Sequence, residues 1–449
     1  MIVMNGPLFS LLRDPEFLRG YALLVAQTAL VSIIGGVLGV GAGAFVYRSD
    51  WLAQSLRDLL RLGMWLPFFF LGGLMYWGDR TVWHLNIHTR PLLAVVVAAT
   101  PATILASCYY YLCLRSLTDL DRVHARLQLF KVIVFQAMLF CLVCQFSSAF
   151  ARPNLWPWAR FATGPDFLAV ASAFGLLIGL IVLTINAISS STLDRTASLR
   201  GRIIENEIAR SRASVSGIIL IVSICLSVWQ VYHRRFKEVF LFSSPKEVLK
   251  AGYQMLVTGI QEMGPPFKGE TEWQDIGISL LEIVVGISLA AALGFIVLTA
   301  LEKAPSVTKT KWSHLLCVTY ITPIALWQAA FPLVGIGILH KIVLIGCLTF
   351  FPILEIFWIL RESSIFVRSI VAIDEALPLA FVGMIVGELY AATAGIGFFI
   401  VVSSATSRSG ESTAMSLLGF GLLVVLSCAL RFAVSRIGSK SKLAACEMS

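Results

Sequence analysis

Long apolar segments recur along this chain and decide what it can fold into. A helix needs about 20 apolar residues, rising 1.5 Å each, to cross the hydrocarbon of a bilayer. Backbone groups in lipid have no water to bond, so such segments must be helical. We therefore expect an all-α, polytopic membrane protein with about 11 transmembrane helices. The predicted spans are residues 20–47, 62–77, 91–114, 131–150, 166–189, 214–232, 276–301, 314–338, 340–360, 369–388 and 412–433.

Composition supports this class. The chain has 449 residues, is 57% hydrophobic and only 14% charged, and has a mean hydropathy of +0.83. A soluble domain carries about 25% charged residues. The first 17 residues contain acidic residues and no cleavage pattern, so no removable targeting segment is expected.

The net charge of +9 reflects membrane topology better than nucleic-acid binding. Lys and Arg concentrate in loops on the cytoplasmic side of a membrane. Most of the basic residues fall on one side when the carboxyl terminus is cytoplasmic, and eleven spans then put the amino terminus outside. The cytoplasmic segments are 48–61, 115–131, 190–213, 302–313, 361–368 and the carboxyl-terminal tail.

The chain also contains an internal repeat. Residues 28–45 resemble residues 279–295, with Gly35 matching Gly286 and Gly43 matching Gly294 at an offset of 251. A proline inside a later span recurs at the same offset, at Pro101 and Pro352.

Three parts follow from this repeat. They are a first repeat at 1–190, an Arg-rich linker with a joining helix at 191–240, and a second repeat at 241–449. Each repeat has five helices. The joining span 214–232 gives both copies the same orientation, so the repeat is parallel, about an axis along the membrane normal.

Four segments of the second half carry a resemblance to a known family. They are SSPKEVL (243–249), SLLEIVVGISLAAALGF (279–295), the segment 322–354, and GELYAATAGIGFFI (387–400). Residues 241–436 resemble the permease subunits of ATP-binding cassette importers of the nitrate, sulfonate and taurine class, and the first half resembles the same unit more weakly.

The resemblance implies a function and partners. The chain would be the duplicated permease of a bacterial inner-membrane importer for a small solute, with an anion as the expected type. An external substrate-binding protein would deliver the solute. A separate cassette ATPase would hydrolyse ATP, so the chain itself is not expected to be an enzyme.

One departure from the family concerns coupling to the ATPase. The family's cytoplasmic coupling helix has a Glu-Ala-Ala-x-x-x-Gly pattern, and here only Asp374-Glu375-Ala376 echoes it, without the glycine. The corresponding loops, 115–131 and 361–368, are rich in arginine. The candidate coupling residues are Arg115, Arg122, Arg126, Arg361 and Arg368.

Charges and prolines inside the spans are the other candidates. An ionisable side chain at bilayer depth is costly, and prolines kink helices. Candidate pathway or helix-pairing residues are Glu282, Asp374, Glu388, Pro323 and Pro352. A turn role for Glu388 is favoured over contact with the solute, and static helix shape is the alternative for the prolines.

No cofactor, metal or catalytic site is expected. Cys141 and Cys144 form a CxxC without further ligands, and His84 and His88 lack a third ligand nearby. Two other functions stay open: a secondary transporter, which the scarcity of mid-membrane acidic groups disfavours, and a non-transporting scaffold derived from a permease, which the lost coupling pattern favours.

Overall fold

The computed structural model describes residues 15–70, 90–115, parts of 129–141 and 223–231, 243–258, 272–303, 337–360, 364–391, 394–405 and 408–447. Within these residues the chain is helical and contains no strand. The helices are α1 (Pro15–Val46), α2 (Asp50–Gly63), α3 (Leu66–Phe69), α4 (Arg90–Arg115), α5 (Pro245–Tyr253, extended by a π-helical turn at Gln254–Thr258), α6 (Trp273–Glu302), α7 (Ile338–Ile359), α8 (Ile365–Ala391), α9 (Ile396–Ala405) and α10 (Ser409–Glu447).

Six of these helices are long and apolar enough to cross a membrane, so the chain is a helical membrane protein. They are α1, α4, α6, α7, α8 and α10, and they coincide with the predicted spans 20–47, 91–114, 276–301, 340–360, 369–388 and 412–433. Spans 166–189 and 314–338 fall almost wholly outside the described residues, and 62–77, 131–150 and 214–232 are described only in part. The helix α8 is the most buried of the six.

The first helix pair, α1 and α4, packs through a stripe of glycines. A Cβ atom on Gly35 would lie 2.7 Å from Thr103 Cγ2, and one on Gly43 would lie 2.8 Å from Tyr111 Cδ1. Between them, a Cβ on Gly39 would lie 2.6 Å from Ser107 Cβ. Residue numbers rise together on both helices, so α1 and α4 run in the same direction. Small residues at every fourth position let two helices approach this closely.

The second pair, α6 and α7, is built in the same way. A Cβ on Gly286 would lie 2.6 Å from Ile345 Cγ2, and one on Gly294 would lie 3.3 Å from Ile353 Cγ2. The intervening small residue is Ala290, which is buried. Residue numbers again rise together, so this pair is also parallel. In each pair, the first helix therefore finishes on one side of the bundle, and the second helix starts on the other side.

The two pairs share one contact register. On the first helix of each pair, the offset is 251 residues, which matches Gly35, Gly39 and Gly43 with Gly286, Ala290 and Gly294. On the second helix, the offset is 242 residues, which matches Thr103 and Tyr111 with Ile345 and Ile353. The offset between α4 and α7 is therefore nine residues smaller than the offset of 251 that relates Pro101 to Pro352. Pro101 and Pro352 do not occupy equivalent positions in the two pairs.

The first connecting segment is a helix where the sequence predicts a loop. The helix α2 begins with Asp50 in its first turn and has Arg61 in its last, as favoured by the helix dipole. It ends at Gly63 because the ring of Pro67 clashes with the carbonyl four residues earlier. The short α3 follows after a turn at Met64 and Trp65. Within the described part of the predicted span 62–77, the helix is therefore interrupted.

One face of the bundle gathers the basic residues. The Tyr47 hydroxyl donates to the carbonyl of Arg115 at 3.3 Å, which joins the ends of α1 and α4. Arg61, in the last turn of the helix that follows α1, bonds Asp374 in the first half of α8, so the start of α8 lies toward the same side. We call this the basic face and the other the opposite face. The basic face carries Arg48, Arg57, Arg61, Arg115, Lys303, Arg368 and Arg431.

The glycine packing of α1 predicts a position-specific effect of added methyl groups. Gly39→Ala is expected to destabilise the protein by about 1–3 kcal/mol, because its Cβ would overlap the backbone carbonyl oxygen of Ile104 and the Cβ of Ser107. Gly41→Ala, on the same helix, meets no atom within 4 Å and should leave stability unchanged or slightly raised. Thermal unfolding of the two detergent-solubilised variants, followed by size-exclusion chromatography, measures the difference. Equal melting temperatures would contradict the described α1–α4 contact.

Candidate functional site

Asp374 is the centre of a buried cluster at the basic face, which we call the arginine–aspartate cluster. Arg61 donates to Asp374 Oδ2 through Nη2 at 2.6 Å and through Nη1 at 3.0 Å. Arg431 Nε donates to the same oxygen at 3.1 Å. Ser427 Oγ donates to Asp374 Oδ1 at 2.5 Å and accepts from Arg61 Nη2 at 3.1 Å. Arg61 and Asp374 are both buried.

This cluster joins the two halves of the chain. Arg61 belongs to α2 of the first half, and its partners belong to α8 and α10 of the second half. The nearby Phe69 strengthens the same junction. Its ring packs against Phe381 and Phe420, and its carbonyl accepts from Ser416 Oγ at 2.8 Å. Arg61 and Phe69, at the two ends of the segment 61–69, thus both pack against α8 and α10.

Glu282 and Glu388 lie in a second buried cluster, nearer the opposite face. Glu282 of α6 forms an ion pair with Lys341, in the first turn of α7. Glu388, near the end of α8, accepts a hydrogen bond from Ser279 Oγ at 2.5 Å. All four side chains are buried. We call them the lysine–glutamate cluster, and it ties α8 to α6 and α7.

Glu388 also holds the start of α9 in place. The first N–H groups of a helix lack partners within the helix. Here Gly397 N donates to Glu388 Oε2 at 2.5 Å, Ile396 N donates to Ser279 Oγ at 2.9 Å, and Gly395 N donates to Asp275 Oδ1 at 2.6 Å. Gly395 has a φ of 118°, and a Cβ there would collide with the Glu388 carboxylate. Only glycine fits this turn.

A carboxyl pair lies just outside the second cluster, where α6 begins. Burial raises the pKa of Glu272 to about 9, and the hydrogen bond and negative charge of Asp275 act in the same direction. Glu272 also donates its backbone N–H to the Met255 carbonyl at 3.2 Å. The start of α6 is therefore held against the π-helical turn after α5.

The remaining candidates lie apart from both clusters or beyond the described residues. Pro352 is buried inside α7, which continues through it, and Arg115 lies over the ring of Tyr111 at the end of α4. Arg368 is buried near the start of α8, with its guanidinium 5.7 Å from the centre of the Phe357 ring. Pro323, Arg122, Arg126 and Arg361 lie outside the described residues.

Sequence reasoning misses the partners of the acidic residues. It treats Arg61 as one of the basic residues of a cytoplasmic loop, because this arginine lies in a basic segment 313 residues from Asp374. Lys341 lies at the boundary of two predicted spans and resembles an interface residue. Ser279 and Ser427 are small hydroxyl residues in apolar helices and carry no signal of their own. The one sign of such a partner in the sequence is a charged residue at the edge of an apolar segment.

Both clusters use carboxylates of α8. Asp374 and Glu388 are fourteen residues apart, about 21 Å along a helix, so α8 is held at two separate levels, one in its first half and one near its end. In the described part of the chain, no group of three or more His, Cys, Asp or Glu side chains is placed to hold a metal ion. The contacts within the two clusters are ion pairs and hydrogen bonds.

Comparisons of this chain with protein-family models, with curated proteins and with solved structures find no match.

The arginine–aspartate cluster predicts strong coupling between distant residues. Asp374→Ala removes the carboxylate that Arg61 and Arg431 both bind here, and it should cost about 3–5 kcal/mol. Arg61→Ala should cost less, because Arg431 and Ser427 still bind Asp374. The double variant should cost less than the sum of the two, as for residues in one network. Exposed Arg48→Ala, on the same face, should stay within about 0.5 kcal/mol of the parent. Chemical unfolding of the four proteins measures the coupling, and additive single effects would contradict the contact.

The raised pKa of Glu272 predicts a specific pH dependence. An unfolded Glu releases its proton near pH 4.3, and folded Glu272 does so near pH 9. Between these values the folded state binds more protons, so this residue lowers stability as pH rises. The melting temperature of Glu272→Gln should exceed that of the parent by a margin that grows from about pH 5 to about pH 9. A margin that stays constant over this range would contradict the prediction.

Proposed function

We propose that this chain is the membrane-spanning permease subunit of an ATP-binding cassette importer. It would move a small, anionic solute across the bacterial inner membrane, with its carboxyl terminus in the cytoplasm. The observation that carries the proposal is the recurrence of one parallel helix pair, with small residues in the same register, in both halves. A repeat of this kind, about an axis along the membrane normal, is a common way to build a pathway between two halves.

The proposed architecture has eleven spans in two repeats, at 1–190 and 241–449, joined by the linker and span at 191–240. Each parallel pair requires the chain to return across the membrane between its two helices. The predicted spans 62–77 and 314–338 lie in those connections and would supply the two returns. The basic face would be cytoplasmic, in agreement with the usual distribution of Lys and Arg.

Coupling to the ATPase would use the basic face. The helices α7 and α8 are separated by only a few residues, between Leu360 and Ile365, which leaves no space for a coupling helix there. We therefore assign docking to the first half, at the arginine-rich loop 115–131 that follows α4. The ATPase and the external binding protein would be separate chains, and this chain would hydrolyse nothing.

A secondary transporter is the second candidate, and the lysine–glutamate cluster favours it. Buried ionisable groups within membrane helices mark ion or proton pathways in many transporters. Glu282, Lys341 and Glu388 bring two carboxyl groups and one amine together in a buried site. A carrier of this kind would use an ion gradient and no ATPase.

Affinity purification from native membranes, with uptake measured after reconstitution, distinguishes the candidates. The importer predicts that a cassette ATPase copurifies at near-stoichiometric yield, and that uptake requires ATP. Arg115→Glu should reduce the retained ATPase several-fold, whereas exposed Arg48→Glu on the same face should retain it. Uptake driven by an ion gradient without any ATPase would transfer the assignment to the secondary transporter. A folded protein with neither an ATPase nor uptake would overturn both and leave the scaffold.

A further inference from the structure

The helix α5 is a well-defined element at the opposite face. Its start is fixed by a reciprocal cap, in which Glu247 N donates to Ser244 Oγ at 3.2 Å and Ser244 N donates to Glu247 Oε2 at 2.8 Å. Pro245 occupies the first turn, where a missing N–H costs nothing. The helix therefore begins at a defined residue and presents defined faces.

One face of α5 is buried against the bundle. Val248, Ala251 and Met255 are buried, at 5%, 7% and 0% exposure. A Cβ on Gly410, in the first turn of α10, would lie 3.4 Å from Ser243 Oγ and 3.9 Å from Ala251 Cβ. Residues from both ends of α5 thus lie against the same turn. A Cβ on Gly252 would lie 3.8 Å from Ala414 Cβ, so α5 packs against the first turns of α10.

The outward face of α5 combines apolar side chains with lysines. Leu249, Tyr253 and Val257, four residues apart, are 75%, 62% and 57% exposed. Lys246 and Lys250 are exposed on the same side. Amphipathic helices that lie in a membrane interface have this composition, with apolar groups in the boundary layer and lysines extending to the headgroups.

This face is continuous with the outward surface of α6. Trp273 donates its indole N–H to the carbonyl of Leu256 at 3.0 Å, yet its side chain is 59% exposed. Two turns further along α6, Leu281 and Val284 are 59% and 60% exposed on a helix long enough to span the membrane. Trp is enriched where such helices leave the hydrocarbon. Trp273 therefore connects the exposed apolar side chains of α6 with the end of the α5 segment.

We propose that α5 is a bilayer-surface anchor whose Leu249, Tyr253 and Val257 lie in the headgroup–acyl boundary, with Lys246 and Lys250 on the phosphates of anionic lipids. Continuity with the membrane-spanning surface of α6 selects lipid over a protein partner. The lysines select anionic over zwitterionic headgroups. This binding surface depends on the membrane location of the helices and not on how, or whether, the protein transports a solute.

Spin-label accessibility in lipid nanodiscs tests the anchor. Labels are placed at Leu249→Cys and Tyr253→Cys in a cysteine-free background, with Gln254→Cys as the control on an adjacent, polar side of the helix. Collisions with oxygen, which partitions into lipid, are compared with collisions with a water-soluble nickel chelate. The anchor predicts an oxygen-to-nickel ratio several-fold higher at residues 249 and 253 than at residue 254. A ratio at 249 and 253 equal to that at 254 overturns it.

The lysine contribution is tested in the same experiment. In nanodiscs containing phosphatidylglycerol, the label at residue 249 should lie deeper than in nanodiscs of phosphatidylcholine alone. The double substitution Lys246→Gln, Lys250→Gln should abolish that difference. Free inorganic phosphate added to phosphatidylcholine nanodiscs should not reproduce the effect of phosphatidylglycerol. A label shielded from both reagents would show that protein covers the face, either another segment of this chain or a second copy, and would overturn the proposal. An unchanged depth difference in the double variant would remove the role of the lysines.

Discussion

The burial of two carboxylates on one helix is the constraint on which the described bundle depends. Asp374 lies in the first half of α8 and Glu388 lies near its end, and neither can be left without partners in a membrane-embedded core. Arg61 and Arg431 satisfy the first, while Ser279 and the N–H of Gly397 satisfy the second. These contacts determine which helices surround α8. They also make a displacement of α8 costly unless new partners replace the old ones.

The glycine-packed pairs supply the other part of the architecture. Within lipid, helices gain little from apolar burial and depend on close packing. The stripes at Gly35, Gly39 and Gly43, and at Gly286, Ala290 and Gly294, provide that contact in each half. The Arg61–Asp374 ion pair then links the first half to the second. A transporter that alternates between two states would have to change this link, or move the two halves around it as a fixed point.

Sequence patterns predict the apolar spans well and the contacts between them poorly, for physical reasons. A stretch of about 20 apolar residues has one stable state in lipid, so α6 and α8 follow from length and hydropathy alone. The arginines of α2 indicate a cytoplasmic loop, although its apolar residues have helical spacing. Arg61 and Asp374 are 313 residues apart, and no local pattern reports that they meet. The proline match at Pro101 and Pro352 reflects spacing along the chain and not the packing register.

The most direct test is a side-chain-resolution density map of the protein in a lipid nanodisc. We predict that α1 with α4, and α6 with α7, superimpose by a rotation about the membrane normal. Gly39 would then fall on Ala290, and Ser107 on Thr349, with both pairs parallel. An antiparallel pair, or a contact register that places Pro101 on Pro352, would contradict the equivalence of the two halves as units around a shared pathway.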